Sequence, residues 1–224
     1  MICGGVKINM GVREGDTNMN DTDYLYHYFD KNKLLFNSVT SLSFDEAEAV
    51  LRASLAESPE YNEEFLSWFP KWHLERRYEL EKTIRDRFIA IGGKPMNTAP
   101  IYFTIGANKG LETWYYNLGI IKIPVSEFDL SSVSFTYGDS FAVFNPKCNT
   151  GEEWWGQVYM YDDIVKLINK YGFPEDPEYH SINMVFPKDK PINQYLKYVE
   201  AHVWNDEILD KYRQGGVELY EHSF

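Results

Sequence analysis

Gly92-Gly93, followed at once by Lys94-Pro95, splits this chain into two periodicities, and that break constrains its fold more than any other feature. Two glycines admit left-handed backbone, and proline cannot continue a helix. Upstream, Leu74, Tyr78, Ile84, Phe88 and Ile91 fall close to helical spacing, with Glu75, Arg76, Glu79, Lys82 and Arg85 on the other faces. The spacing predicts a long helix over 61–91 whose charges form a solvated, ion-paired face. A shorter helix is predicted ahead of it. Ser43 and Glu46 have capping-box spacing, Phe44, Ala47, Val50, Leu51 and Leu55 make an apolar stripe, and Ser58-Pro59 ends the element.

Downstream the pattern becomes extended, with short strands predicted at 100–105, 119–125, 133–137, 140–144 and 156–160. Residues 161–171 read as an amphipathic helix with acids in its first turn and Gly172 after its last. A proline-rich loop over 174–191 carries a further strand around 182–186, and a last strand runs over 198–204. With an aromatic strand at 24–29, the expectation is a single α+β domain over 22–224. Its helices lie mainly in the N-terminal half and a mostly antiparallel mixed sheet fills the C-terminal half. Residues 1–21, rich in glycine and asparagine, are expected to be a disordered extension, with Met10 and Met19 as alternative starts to Met1.

Net charge is −12 over 224 residues, which weighs against neutralising nucleic-acid phosphates and favours either plain solubility or a basic partner. Cys3 and Cys148 make no disulfide framework or zinc spacing, so no metal is expected and a reducing, cytoplasmic setting is. No apolar run approaches the roughly 20 residues that span a bilayer.

The last strand holds the most informative pattern. Val199, Ala201 and Val203 share one face, while Tyr198, Glu200, His202 and Trp204 share the other. The second face sets a carboxylate among aromatics, which can orient it and shift its pKa; the plain alternative is a solvated sheet face. His27 shares a face with Leu25 and Phe29, where a histidine is either a satisfied core residue or a ligand. Tyr102, and the aromatic cluster Trp114, Tyr115 and Tyr116, offer a stacking wall or a cap on the sheet.

The order of these pieces resembles the ADP-ribosyltransferase fold, most nearly its DarT-like branch. The pieces are Leu25-Tyr26-His27, then Ile101-Tyr102-Phe103, a strand ending Pro-Val-Ser-Glu-Phe, Gly138-Asp139-Ser140, and a late Val-Glu-Ala-His-Val strand. The resemblance covers about residues 24–209. It implies NAD as substrate, His27 holding the ribose or amide, Tyr102 stacking near nicotinamide, and Glu200 supporting transfer to a protein or nucleic-acid acceptor. Tyr115 would add to the NAD-binding wall. That branch has an arginine just after the Tyr-Phe strand; here Thr104, Ile105 and Gly106 follow, so Arg76 or Arg77 would have to reach the pyrophosphate through space. The reading requires that His27, Tyr102 and Glu200 line one cleft.

A second reading is a non-enzymatic acidic binding protein, such as a phage or mobile-element inhibitor of a basic host protein. A third, a carboxylate hydrolase using Asp162-Asp163 or Asp206-Glu207, fits poorly, because those pairs suit helix starts and caps.

Overall fold

The computed structural model describes residues 21–57, 59, 61–115, 117–149, 151–174 and 198–215. Of the extension expected over 1–21, residues 1–20 lie outside these residues, as does the strand expected around 182–186, while Asp21 opens a 3-10 turn over Asp21–Asp23. Five strands, β1 (Tyr24–Asp30), β2 (Ile101–Ile105), β3 (Leu118–Pro124), β4 (Val133–Thr136) and β5 (Val199–Val203), form one sheet in the order β3-β1-β2-β5-β4. Every described pairing is antiparallel, and β5 lies between β2 and β4.

Helix α1 (Phe44–Ala56) starts at the expected capping box, with Ser43 N–H and Oγ both donating to Glu46 Oε2 at 3.1 and 2.6 Å. Of its expected stripe, Ala47 is buried while Val50 is half exposed. Helix α2 (Glu63–Ala90) ends as its glycines demand. Gly92, at φ +100°, donates to the Ile89 carbonyl and Gly93 donates to that of Phe88. Both bonds satisfy carbonyls that the last turn would otherwise orphan. A side chain at Gly93 would meet the Phe88 ring at 2.4 Å, so this turn also needs glycine for space.

The short helices α3 (Lys109–Glu112) and α4 (Ser140–Val143) follow, then α5 (Tyr161–Tyr171) and α6 (Glu207–Gly215). Two strand expectations are corrected. Residues 140–143 form α4, because Gly138 (φ +127°) turns the chain and Asp139 accepts from the Phe141 N–H, starting a helix turn. Residues 156–160 contribute one bridge, Phe135 to Tyr159, because Gly156 at φ +63° bends the segment off the sheet.

One sheet face packs Leu25, Phe103, Ile121, Phe135, Val199 and Val203 against α5 and α6 in the main core. The other face is divided. Tyr26, Tyr28, Ile120 and Tyr198 gather near α3, whereas Trp204 packs against Leu80, Ile84 and Phe88 of α2. Polar side chains fill the seam between these two apolar clusters.

Candidate functional site

The seam centres on Glu200. Register sets Thr104 of β2 and Thr136 of β4 opposite it, so small side chains flank the carboxylate on both neighbouring strands. Each threonine hydroxyl turns away to the carbonyl two residues on, at Gly106 and Gly138, both at 2.8 Å. The Gly138 turn then brings the Ser140 N–H onto Glu200 Oε2 at 3.0 Å. His202 Nε2 meets the same oxygen at 3.2 Å. Both described hydrogen bonds therefore fall on Oε2. Burial pushes the Glu200 pKa up, but the His202 bond and charge, Arg77 and the Ser140 bond more than offset it. The net direction is downward, and the carboxylate is held ionised though almost sealed from water.

Ser134 and Glu200 hold the His202 ring from its two sides. Trp204 Nε1 can only donate, and it donates to Ser134 Oγ at 2.9 Å. His202 Nδ1 lies 3.2 Å from that hydroxyl and 3.3 Å from the Ser134 carbonyl, while Nε2 carries the proton that faces Glu200, because an ionised carboxylate can only accept. Ser134→Ala would orphan the Trp204 N–H and remove a partner of His202. It is expected to cost about 2 kcal/mol in urea unfolding, against less than about 0.5 kcal/mol for the exposed Ser67→Ala. Equal costs would dismiss the chain as an energetic unit.

Arg77 of α2 lies over the ring of Tyr102 at 4.4 Å and, at the same distance, over that of Phe141. Its Nε is 4.0 Å from Glu81 Oε1, which also accepts from the Tyr102 hydroxyl at 2.8 Å. Burial opposes the Arg77 charge, but Tyr102, Glu200, Glu81 and Asp139 raise its pKa and keep it protonated. Burial raises the Glu81 pKa, with Arg77 pulling the other way. Buried Arg77 Nη1 and Ser140 Oγ have no hydrogen-bond partner among the described residues, and neither has His73 Nδ1. His73 stacks on Phe141, so these orphaned atoms gather around one ring beside Glu200. Such groups ordinarily find partners, so their clustering makes this seam the candidate site.

Four of the five expected site residues thus come together. Glu200, Tyr102 and Arg77 share the seam, and Tyr115 packs with the adjoining tyrosine cluster, where it feels the Arg77 charge. Tyr102 does not have the expected role. Its ring is occupied by Arg77 and, edge-on at 5.4 Å, by His202, so it positions the arginine instead of stacking on nicotinamide. Glu81, His202 and Ser140 were missed as contributors. His202 and Ser140 lie in segments singled out above, and their alternation and Gly138 turn carried the only signal; Glu81 lay within the apparent solvated charge run.

His27 is a correction. It points into the opposite face, against Phe29, Phe36 and Phe103, with Nδ1 donating to the Tyr102 carbonyl at 2.8 Å. The single cleft of His27, Tyr102 and Glu200 does not exist, because strand alternation puts odd and even positions on different sides. His27 is a satisfied core residue. Burial lowers its pKa from 6.5 to about 4, with the Tyr102 carbonyl bond and Arg213 contributing less. A histidine with a depressed folded value binds protons more readily unfolded, so stability falls from pH 6.5 downward and levels off near pH 4. The loss is on the order of 3 kcal/mol. Urea midpoints for His27→Gln should lack this component, and an unchanged acid slope would contradict it.

An open hollow of about 450 Å³ lies on α5, not at Glu200. Its Lys166 and Lys170 are already paired with Asp163 and Glu153. Among the described residues no three His, Cys, Asp or Glu side chains gather to hold a metal, and no helix is long and apolar enough to cross a membrane. No known protein family, characterised protein or solved structure matches the chain.

Proposed function

We propose that the chain is an ADP-ribosyltransferase-like enzyme that breaks the glycosidic bond of NAD at Glu200 and passes ADP-ribose to a macromolecular acceptor. The reading drawn from the resemblance required His27, Tyr102 and Glu200 in one cleft and fails on that geometry, so the proposal rests on the Glu200 seam alone. What supports it is one observation: Arg77 Nη1 and Ser140 Oγ, without hydrogen-bond partners among the described residues, gather beside an ionised carboxylate anchored through Oε2. In the step proposed, the bond from the ribose anomeric carbon to the nicotinamide nitrogen breaks and its electron pair leaves with nicotinamide. Glu200 Oε1 faces the positive charge that develops on the sugar, and Arg77 Nη1 donates to the pyrophosphate. An acceptor nucleophile then bonds to the same carbon, and its proton passes to the Glu200 carboxylate. Tyr115, half-buried in the adjoining tyrosine cluster, supplies the flat wall that Tyr102 cannot.

The experiment is release of nicotinamide from NAD, followed by chromatography, together with transfer of adenine-labelled ADP-ribose to protein or nucleic acid in a cell extract. The second reading, an acidic binding protein without chemistry, draws on the depth of Glu200 and the −12 charge. It expects no nicotinamide from the native chain.

A further inference from the structure

Helix α2 has two apolar rows in its first half, and the fold uses one. Leu66, Pro70 and Leu74 recur every fourth residue and are buried. Phe65, Trp68, Phe69 and Trp72 fall at positions i, i+3, i+4 and i+7 on another side, the spacing by which a helix anchors in a partner. Trp68 is 50 % exposed and Trp72 is 38 % exposed. The rings are ordered against one another: Phe65 stacks on Phe69 at 4.4 Å, and Trp68 meets Trp72 edge-on at 6.0 Å. Phe69 also stacks on His73, and His73 on Phe141, so the row runs continuously to Arg77 at the Glu200 seam. A water-facing row of this size has a hydrophobic cost unless something covers it.

Charge decides what covers it. Exposed Glu63 and Glu64 open the helix at the head of the row, and neither is ion-paired among the described residues. The row's own base, Lys71, lies 4.0 Å from Glu75. A second copy would bring another −12, and a nucleic acid would bring phosphates, so both meet like charge. Arginine and lysine gain twice, from the carboxylates and from the indole faces. We propose that this aromatic row is a docking surface for a partner-protein segment in which arginine or lysine alternates with apolar side chains. The proposal does not depend on NAD chemistry at Glu200.

The test uses a labelled twelve-residue peptide alternating arginine and leucine, with a glutamate–leucine peptide and oligothymidylate of matched length as the other probes. Binding is read by anisotropy and tryptophan fluorescence, without NAD, on the native chain and on Glu200→Gln. The expected result is binding of the basic peptide alone, quenching of tryptophan emission, and equal affinity for the Glu200→Gln chain. Trp68→Ala/Trp72→Ala is expected to weaken binding about tenfold or more while leaving the unfolding midpoint unchanged. Glu63→Gln/Glu64→Gln is expected to weaken it about threefold and flatten its salt dependence. No binding, equal binding by the tryptophan variant, preference for oligothymidylate, or dimerisation abolished by the tryptophan changes would each overturn the proposal. No nicotinamide release from the native chain, with peptide binding intact, would overturn only the catalytic reading.

Discussion

Glu200→Gln is expected to lower nicotinamide release from NAD by about 10³-fold while leaving the fold in place. The amide has the size of the carboxylate, and its oxygen can still accept from the Ser140 N–H and from His202 Nε2, the two donors that anchor Oε2. What changes is the unanchored position, where an NH₂ group replaces a charged oxygen and repels the positive charge developing on the sugar. The loss therefore belongs in kcat, with KM little altered, because the interaction strengthens only as the glycosidic bond breaks. pH sharpens the test. His202 and Arg77 hold the carboxyl below its usual range against the effect of burial, so the native activity should stay level from neutral pH down towards 5. A limb that falls through pH 6 would point to a different acting group. Equal rates for the two chains, with measurable turnover in both, would remove Glu200 from the chemistry.

The elements most legible in the sequence were those written in local chemistry. Ser43 and Glu46 signalled the start of α1, and Gly92-Gly93 signalled the end of α2, because capping and left-handed turns depend on a few adjacent residues. Alternation along β5 correctly separated Val199, Ala201 and Val203 from Glu200, His202 and Trp204. It could not show that both faces are buried, since burial of the second comes from α2, more than a hundred residues away. Glu81 was hidden for the same reason, and Arg77 was reached only through the resemblance. Within a run of charges they look solvated, and only docking of α2 over β2 turns them inward. His27 failed for a subtler reason. Its own face was read correctly, but the parity of β2 and β5 relative to β1 depends on register: Tyr26 pairs with Thr104, which pairs with Glu200. That parity places His27 on the other side of the sheet, and nothing local to any strand encodes it.

Arg77→Met should be strongly destabilising, and its cost should depend on pH. The methionine keeps an apolar stem between Tyr102 and Phe141 but leaves Glu81 and Glu200 without their shared cation. Removing one partner of a buried ionic cluster costs about 3–5 kcal/mol when sealed; with a fifth of the Arg77 side chain exposed, about 2 kcal/mol at pH 7 is the expectation. The sign with pH follows from each group. Glu81 already has a raised folded pKa, so its ionisation opposes folding at neutral pH, and losing Arg77 raises it further. Glu200 is depressed in the native chain, where it adds stability above the ordinary carboxyl range that is lost as pH falls through its folded value. Without Arg77 that contribution shrinks. His73 is lowered to about 4, first by burial and then by Arg77 and Arg76, so its acid penalty also eases in the variant. All three make the gap between native and variant chains close as pH falls from 7 to 5. Urea unfolding at the two pH values measures it. A gap that stays constant would mean that Arg77 contributes by packing its stem between two rings, with its charge serving neither carboxylate.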